Sequence, residues 1–220
     1  MTCQGMPRNL SLLVAGRRTW PIVQHLLRSE RSNIDALIAP GHVATIIGAD
    51  EWRECAQVYD IPTAVAGFKP QHILTALGVV ASQFLQGKAE LANVYPEAVH
   101  PSGNAHARDV LARTFNVVSA QWRGIGTIPD SGYELKSHLQ KHDARHVFSI
   151  PTLALPRAGK MPAHCACAQV VLGKCLPTDC PSFGVVCKPE RPLGPCMVSD
   201  EGACRIWWSS NARPRLNRYE

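Results

Sequence analysis

No run of about 18 consecutive apolar residues occurs in this 220-residue chain, so the sequence contains no candidate membrane-spanning helix. The opening "MTCQGMPRNLSLLVAGRR" lacks the basic-then-apolar layout, closed by a small-residue cleavage site, that marks secretion. A cytoplasmic protein is therefore expected. Internal repeats and low-complexity tracts are missing, which excludes a repeat architecture and a compositionally biased tail. Aromatic residues make up only 6% of the chain. The arginines near the C-terminus (Arg205, Arg213, Arg215, Arg218) are not interleaved with rings on which single-stranded nucleic acid could stack. The net charge of +6 thus reads as solvated surface, or as a face for an acidic protein partner, and no nucleic acid or membrane partner is expected. Charged residues at 18% against 45% hydrophobic ones are globular proportions, and the chain is long enough for one sizeable core and a small satellite domain.

What is present includes short apolar runs punctuated by glycine and proline. "LSLLVAG" (10–16), "IDALIAPG" (34–41) and "IPTAVAG" (61–67) read as buried strands. Between and after them, "TWPIVQHLLRS", "EWRECAQVY" and "PQHILTALGVVASQFLQG" have helical spacing. Asp50 suits a helix N-cap, and Pro70 suits a first helical turn. In the last helix Ile73, Leu74, Leu77, Val80, Ala81, Phe84 and Leu85 fall on one face and are expected in the core. Strand and helix in alternation predict an α/β fold: a parallel sheet with flanking helices, Rossmann-like. Ligands bind such sheets at the carboxyl ends of the strands, here Arg17 and Arg18, "PGHV" (40–43) and "GFKP" (67–70). Further on, "AHARDVLARTF" reads as a short helix and "QWRGIGTIPDSG" as a strand and turn, with Trp122 and Arg123 for packing and anchoring.

Cysteine is abundant in one place. Of nine cysteines, Cys3 and Cys55 stand alone and seven fall between Cys165 and Cys204. An odd count leaves a thiol over in any disulfide scheme, and a reducing cytosol does not sustain structural disulfides. Soft thiolates in a segment rich in proline and glycine point instead to zinc or iron–sulfur chemistry. The expected division is an α/β domain over 1–150 and a Cys-rich domain over 151–220, joined by the proline-rich stretch "IPTLALPRAGKMPAH". Cys167, Cys180, Cys187 and Cys204 follow C-x12-C-x6-C-x16-C, with Cys165, Cys175 and Cys196 outside that series. Zinc ribbons bring ligands from tight C-x2-4-C knuckles, whereas the closest pair here, Cys165 and Cys167, has one residue between. The bacterial ferredoxin spacing is missing as well. Spacing alone defines a thiolate site and leaves its metal open.

The residues around the thiols are more specific. "DCPSFGVVCKPERPLGPCMVSDEGAC" resembles the C-terminal signature of the HypD family, which serves NiFe-hydrogenase maturation. The likeness extends back through "GNAHARDVLARTFNVVSAQWRGIGTIPDSG", "GFKP" and "APGHVATIIG" to about Leu10. It implies that Cys167, Cys180, Cys187 and Cys204 hold a 4Fe-4S cluster and that Cys165, Cys175 and Cys196 do not. It further implies a scaffold on which iron acquires two cyanides and one carbon monoxide, with a HypC-like small chaperone and a HypE-like cyanide donor as partners. His42 matches a family histidine that could move a proton or bind iron, or that merely hydrogen-bonds its loop. Glu201 matches a glutamate beside the last cluster cysteine; it could orient or carry a proton there, or only cap a turn. The family's Cys-Gly-x-His and Gly-Pro-Gly-Cys-Pro-Val-Cys motifs are missing, so the chain is expected to be an N-terminally truncated form, incomplete as a maturation factor. Lys69 stands where the family has glutamate. The alternative is a zinc-stabilised interaction module without redox chemistry.

Overall fold

A computed structural model describes residues 7–28, 34–150 and 161–210. Expectations that rest on Cys3, on Arg213, Arg215 and Arg218, and on the linker-like stretch through residue 160 lie outside the described residues. The chain divides into two compact units, Met1–Ser119 with Pro129–Ile150, and Ala120–Ile128 with Pro151–Glu220. Among the described residues no helix is long and apolar enough to cross a membrane.

The first unit is built on a parallel sheet of three strands, β1 (Leu37–Pro40), β2 (Thr63–Ala66) and β3 (Leu91–Asn93), in that order. Leu37 pairs with Thr63, and Thr63 with Leu91. Helices α1 (Thr19–Leu27), α2 (Gly41–Ile47), α3 (Arg53–Gln57) and α4 (Pro70–Leu85) accompany it. Alternation along β2 separates two cores. Val65 joins Ala39, Ala44, Trp52, Cys55 and Val99 on one face. Ala64 and Ala66 meet Ala76 and Val80 of α4 on the other. This is the mixed α/β architecture with helices on a parallel sheet that the sequence pattern predicts.

Several details differ. Residues 10–16 do not join the sheet. Leu12 exchanges backbone hydrogen bonds with His142 and Ala144, at 2.7 and 3.0 Å, and Leu13 is 60% exposed. With that segment diverted, Arg17 and Arg18 leave the carboxyl edge: Arg17 bridges Gly132, and Arg18 donates to the Asp130 carbonyl at 2.9 Å. The third sheet strand is Leu91–Asn93 instead, too short to carry a period of two. Asp50 lies inside a 3-10 turn, Ala49–Trp52, and pairs with Arg53 rather than capping α3. In α4 only Ala76 and Val80 are fully buried, while Leu74, Leu77, Phe84 and Leu85 are exposed. The small alanines of β2 take only a narrow strip of the helix, so most of the expected core face is surface.

After β3 the chain turns back through residues 94–104. Gly48 and Gly103 have φ of +100° and +72°, and a Cβ on either would lie 2.3 Å from a backbone oxygen, of Pro101 and Ile46 respectively. This close crossing needs glycine. Helix α5 (Ala105–Thr114) starts where the Asn104 side chain accepts a hydrogen bond from the Ala107 N–H at 2.9 Å. Strands β4 (Phe115–Trp122) and β5 (Gly126–Leu135) then form a hairpin, earlier in its start than the sequence reading. A short helix, α6 (Ala144–Val147), is capped by Asp143.

Candidate metal centre

Among the described residues from 161 to 210, the second unit has little regular structure: α7 (Cys167–Val171), a 3-10 turn at Pro177–Asp179, α8 (Pro195–Val198) and α9 (Ala203–Ser209). The cysteines sit at the starts and ends of these pieces. Cys167 opens α7, Cys180 follows the 3-10 turn, and Cys187 closes the loop bridged by Phe183. Cys196 is second in α8, and Cys204 is second in α9. Proline at the first position of the 3-10 turn and of α8 presets φ for segments too short to nucleate unaided.

This arrangement brings six thiols to one small cavity, lined by Cys165, Cys167, Cys180, Cys187, Cys196 and Cys204 together with Phe183, Gly194 and Met197. All four cysteines of the family spacing are in it and are buried. Cys175, expected to stand apart, is not among its lining residues. Cys165 and Cys196 are, a proximity that spacing did not reveal. Backbone N–H groups point at three of the four: Ala166 at Cys180 (3.3 Å), Leu193 at Cys187 (3.3 Å) and Cys196 at Cys167 (3.2 Å). Such donors favour a sulfur carrying negative charge. Gly194 is held against the thiols, since a Cβ there would lie 2.9 Å from the Cys165 sulfur.

Three of the cavity thiols, Cys165, Cys167 and Cys196, hold their protons more tightly than a free thiol. A hydrogen bond to Cys196, then burial, raises Cys167 far above the ordinary thiol value, although Arg123 nearby favours its thiolate. The bond to Cys167 pulls Cys196 down, but the bond to Cys204 and burial outweigh it and leave it at about 12. Burial likewise pushes Cys165 and Cys175 up. A thiophilic metal would displace these protons on binding. Among the described residues no three His, Cys, Asp or Glu side chains converge as for one metal ion. A tetrahedral zinc with bonds of about 2.3 Å would draw four sulfurs to roughly 4 Å of one another. The all-sulfur donor set of the cavity suits a thiophilic metal, either zinc or an iron–sulfur cluster.

Elsewhere the carboxyl edge of the sheet brings together two of the three loops the sequence singled out, those after β1 and β2. His42, exposed in the first turn of α2, stacks on Phe68 with ring centroids 4.9 Å apart. Lys69 is the N-cap of α4 without a side-chain cap bond. Beside them lies a residue the sequence reading passed over. The His72 ring packs on Tyr95 (4.8 Å), its Nε2 is 3.3 Å from Glu97 Oε1, and its buried Nδ1 has no hydrogen-bond partner among the described residues. A lone histidine in a helix gives no sequence signal. Glu201 is exposed between α8 and α9, where its backbone N–H donates to Ser199 Oγ at 3.2 Å. A larger cleft of the first unit, between Tyr59, Asp60, Phe84 and Lys88, opens at the amino ends of the strands, and its lining among the described residues has no thiol or histidine.

Comparison with known proteins identifies the family. The family model HypD, described as the hydrogenase formation hypA family, matches residues 1–211. The chain belongs to the HypD family. Hydrogenase maturation factor HypD1 of Bradyrhizobium diazoefficiens is 39% identical over 177 residues, 80% of this chain and 46% of that relative. Hydrogenase maturation factor HypD of Azotobacter vinelandii is 36% identical over 183 residues, 83% of this chain and 47% of the relative. Its counterpart in Escherichia coli is 36% identical over 192 residues, 86% and 50%. The chain thus spans about half the length of the curated relatives it matches.

Proposed function

We propose that this chain serves hydrogenase maturation as its iron–sulfur component, with Cys167, Cys180, Cys187 and Cys204 holding a 4Fe-4S cluster. Its buried six-thiol cavity carries the reading. A cluster so held supplies one-electron transfer at a potential set by hydrogen bonding and burial. The chain's own residues set that environment: Ala166, Leu193 and Cys196 aim N–H groups at the sulfurs, and Phe183 and Met197, each 1% exposed, keep water out. The cargo is iron bearing two cyanides and one carbon monoxide, handled with a HypC-like chaperone and a HypE-like cyanide donor in the cytoplasm. His42 and Glu201 are its proton carriers. The chain acts as scaffold and electron path rather than as a free-standing enzyme. The Cys-rich region from 151 to 220 is the cluster domain and 1–150 the α/β domain.

Anaerobic reconstitution with ferrous iron and sulfide, followed by metal and sulfide analysis and a visible spectrum, tests this. About four irons and four sulfides per chain are expected. One zinc per chain and no sulfide would instead make the unit a zinc-stabilised interaction module.

A further inference from the structure

Val185 and Val186 form the tip of a turn that runs between two of the proposed ligands, Cys180 and Cys187. They are 64% and 50% exposed, while Phe183 and Cys187 on either side are 1% and 5% exposed. The turn is pinned. The Cys187 N–H donates to the Ser182 carbonyl at 2.9 Å, and the Gly184 N–H donates to the Cys187 carbonyl at 3.1 Å. Ser182 Oγ in turn donates to the His164 carbonyl at 2.9 Å. Tight turns are ordinarily built from glycine, proline, asparagine, aspartate and serine. Two valines held out to water break that local rule, and such breaks fall at functional sites. Lys188 and Arg191 follow, both exposed and joined by backbone hydrogen bonds in both directions. Neither side chain is in an ion pair among the described residues. Glu190 between them offsets one of the two charges.

We infer that this tip is the electron port of the Cys-rich unit, a docking surface for an acidic one-electron carrier protein. Val186 is bonded directly to Cys187, so a carrier seated on the valines has a short covalent path to a ligand sulfur. Electron-transfer encounters bury less area than stable complexes, under about 1,200 Å², so two valines and their margin suffice as the apolar centre. The basic edge at Lys188 and Arg191 selects the sign of the partner and speeds the encounter. One electron passes between the flavin or iron–sulfur group of the carrier and the cluster; no bond forms or breaks, and no proton is required. This rests on the iron–sulfur reading above.

The test uses the full chain reconstituted anaerobically with ferrous iron and sulfide, mixed rapidly with a plant-type ferredoxin as the acidic carrier. Transfer is followed from reduced ferredoxin to the chain and from dithionite-reduced chain to oxidised ferredoxin, because one direction is downhill whatever the potentials. Val185→Asp/Val186→Asp and, separately, Lys188→Glu/Arg191→Glu should slow the downhill transfer by about tenfold or more. Salt at about 0.5 M should slow the parent chain as well. Reduction by dithionite, which needs no docking surface, should stay within about twofold in both variants, as should bound iron and sulfide. Carbodiimide joins amines to carboxylates in contact. It should couple Lys188 to ferredoxin in the parent chain but not in Val185→Asp/Val186→Asp. Parental transfer rates in both double variants, or coupling only at other lysines, would overturn the inference. So would a variant that loses dithionite reduction together with ferredoxin transfer, since the defect then lies in the centre and not at its surface. A parent chain that takes up no iron and sulfide removes the iron–sulfur reading itself, an outcome visible before any carrier is added.

Discussion

The imidazole of His42 lies on the phenyl ring of Phe68, with centroids 4.9 Å apart and planes 38° from parallel. The two residues follow β1 and β2, and only a parallel pairing of those strands brings their loops to one edge. Phe68 is 66% exposed, so this contact orients a ring more than it stabilises the fold. Phe68→Ala should cost less than about 1 kcal/mol in denaturant unfolding. It should also abolish the ring-current displacement of the His42 ring protons in NMR spectra. Unchanged His42 shifts would mean that the rings do not meet in solution.

Lys69 tests the same edge from the side of helix energetics. It has the extended N-cap backbone (φ −68°, ψ 145°) but supplies no acceptor for the first-turn N–H groups of α4. Its charge also faces the positive end of the helix. Lys69→Asp supplies the acceptor and reverses the sign, and should stabilise the chain by about 1 kcal/mol. A denaturant midpoint that stays put or falls would show that another group already meets those donors.

Much of this edge was legible in the sequence, because glycine and proline close β1 and β2 where the apolar runs end. The run Leu10–Gly16 misled, since an apolar pattern does not say which backbone partner it will find, and Leu12 finds His142 and Ala144. Strand Leu91–Asn93 was too short to show a period. The exposed face of α4 reflects the alanines of β2 rather than anything in the helix itself. At the candidate metal centre the family resemblance pointed to four thiols, but Cys196 lines the cavity through three-dimensional folding that no linear interval encodes.

Cys55 gives a pH dependence independent of any metal. It is fully buried beside β2, and burial, opposed by a hydrogen bond with Thr63, raises its thiol from 9.0 to about 11. The folded chain therefore holds this proton more tightly than the unfolded chain. The contribution is complete below pH 9 and is lost as pH rises towards 11, with a slope approaching 1.4 kcal/mol per pH unit. Unfolding free energies measured from pH 8 to 11 should fall along this limb and flatten in Cys55→Ala. Equal slopes in both proteins would assign the loss to other groups.

Among the predicted ligands, Cys180 and Cys187 are the decisive pair. Both are buried, and each accepts a backbone N–H bond, Cys180 from Ala166 and Cys187 from Leu193. Cys180→Ala or Cys187→Ala should reduce bound iron by about tenfold or more, whereas Cys175→Ala should leave it unchanged. Gly194→Ala should act like a ligand loss without removing a thiol, because its methyl group would press on Cys165 and Cys167 at 2.9 Å. Full iron content in Cys187→Ala would overturn the ligand assignment.

The last expectation concerns what holds the Cys-rich unit together. Its helices have four to seven residues, too short to persist alone, and ordering each backbone residue costs roughly 1–2 kcal/mol. Against this stands a small cluster of Phe183, Met197 and Val170 packed among the thiols, with Trp207 and Trp208 partly buried beside it. Metal binding to thiols that are scattered in the unfolded chain would add its binding free energy directly to folding. The first unit has two cores on its sheet and no such need. Removing iron by chelation or oxidation should therefore make residues 161–210 sensitive to protease while a fragment spanning 34–148 survives. The Phe183–Trp208 contact, 6.2 Å between ring centroids, should loosen at the same time and shift the tryptophan emission to the red. Metal-free protein that is cut no faster in 161–210 than elsewhere would mean that ordinary packing suffices there.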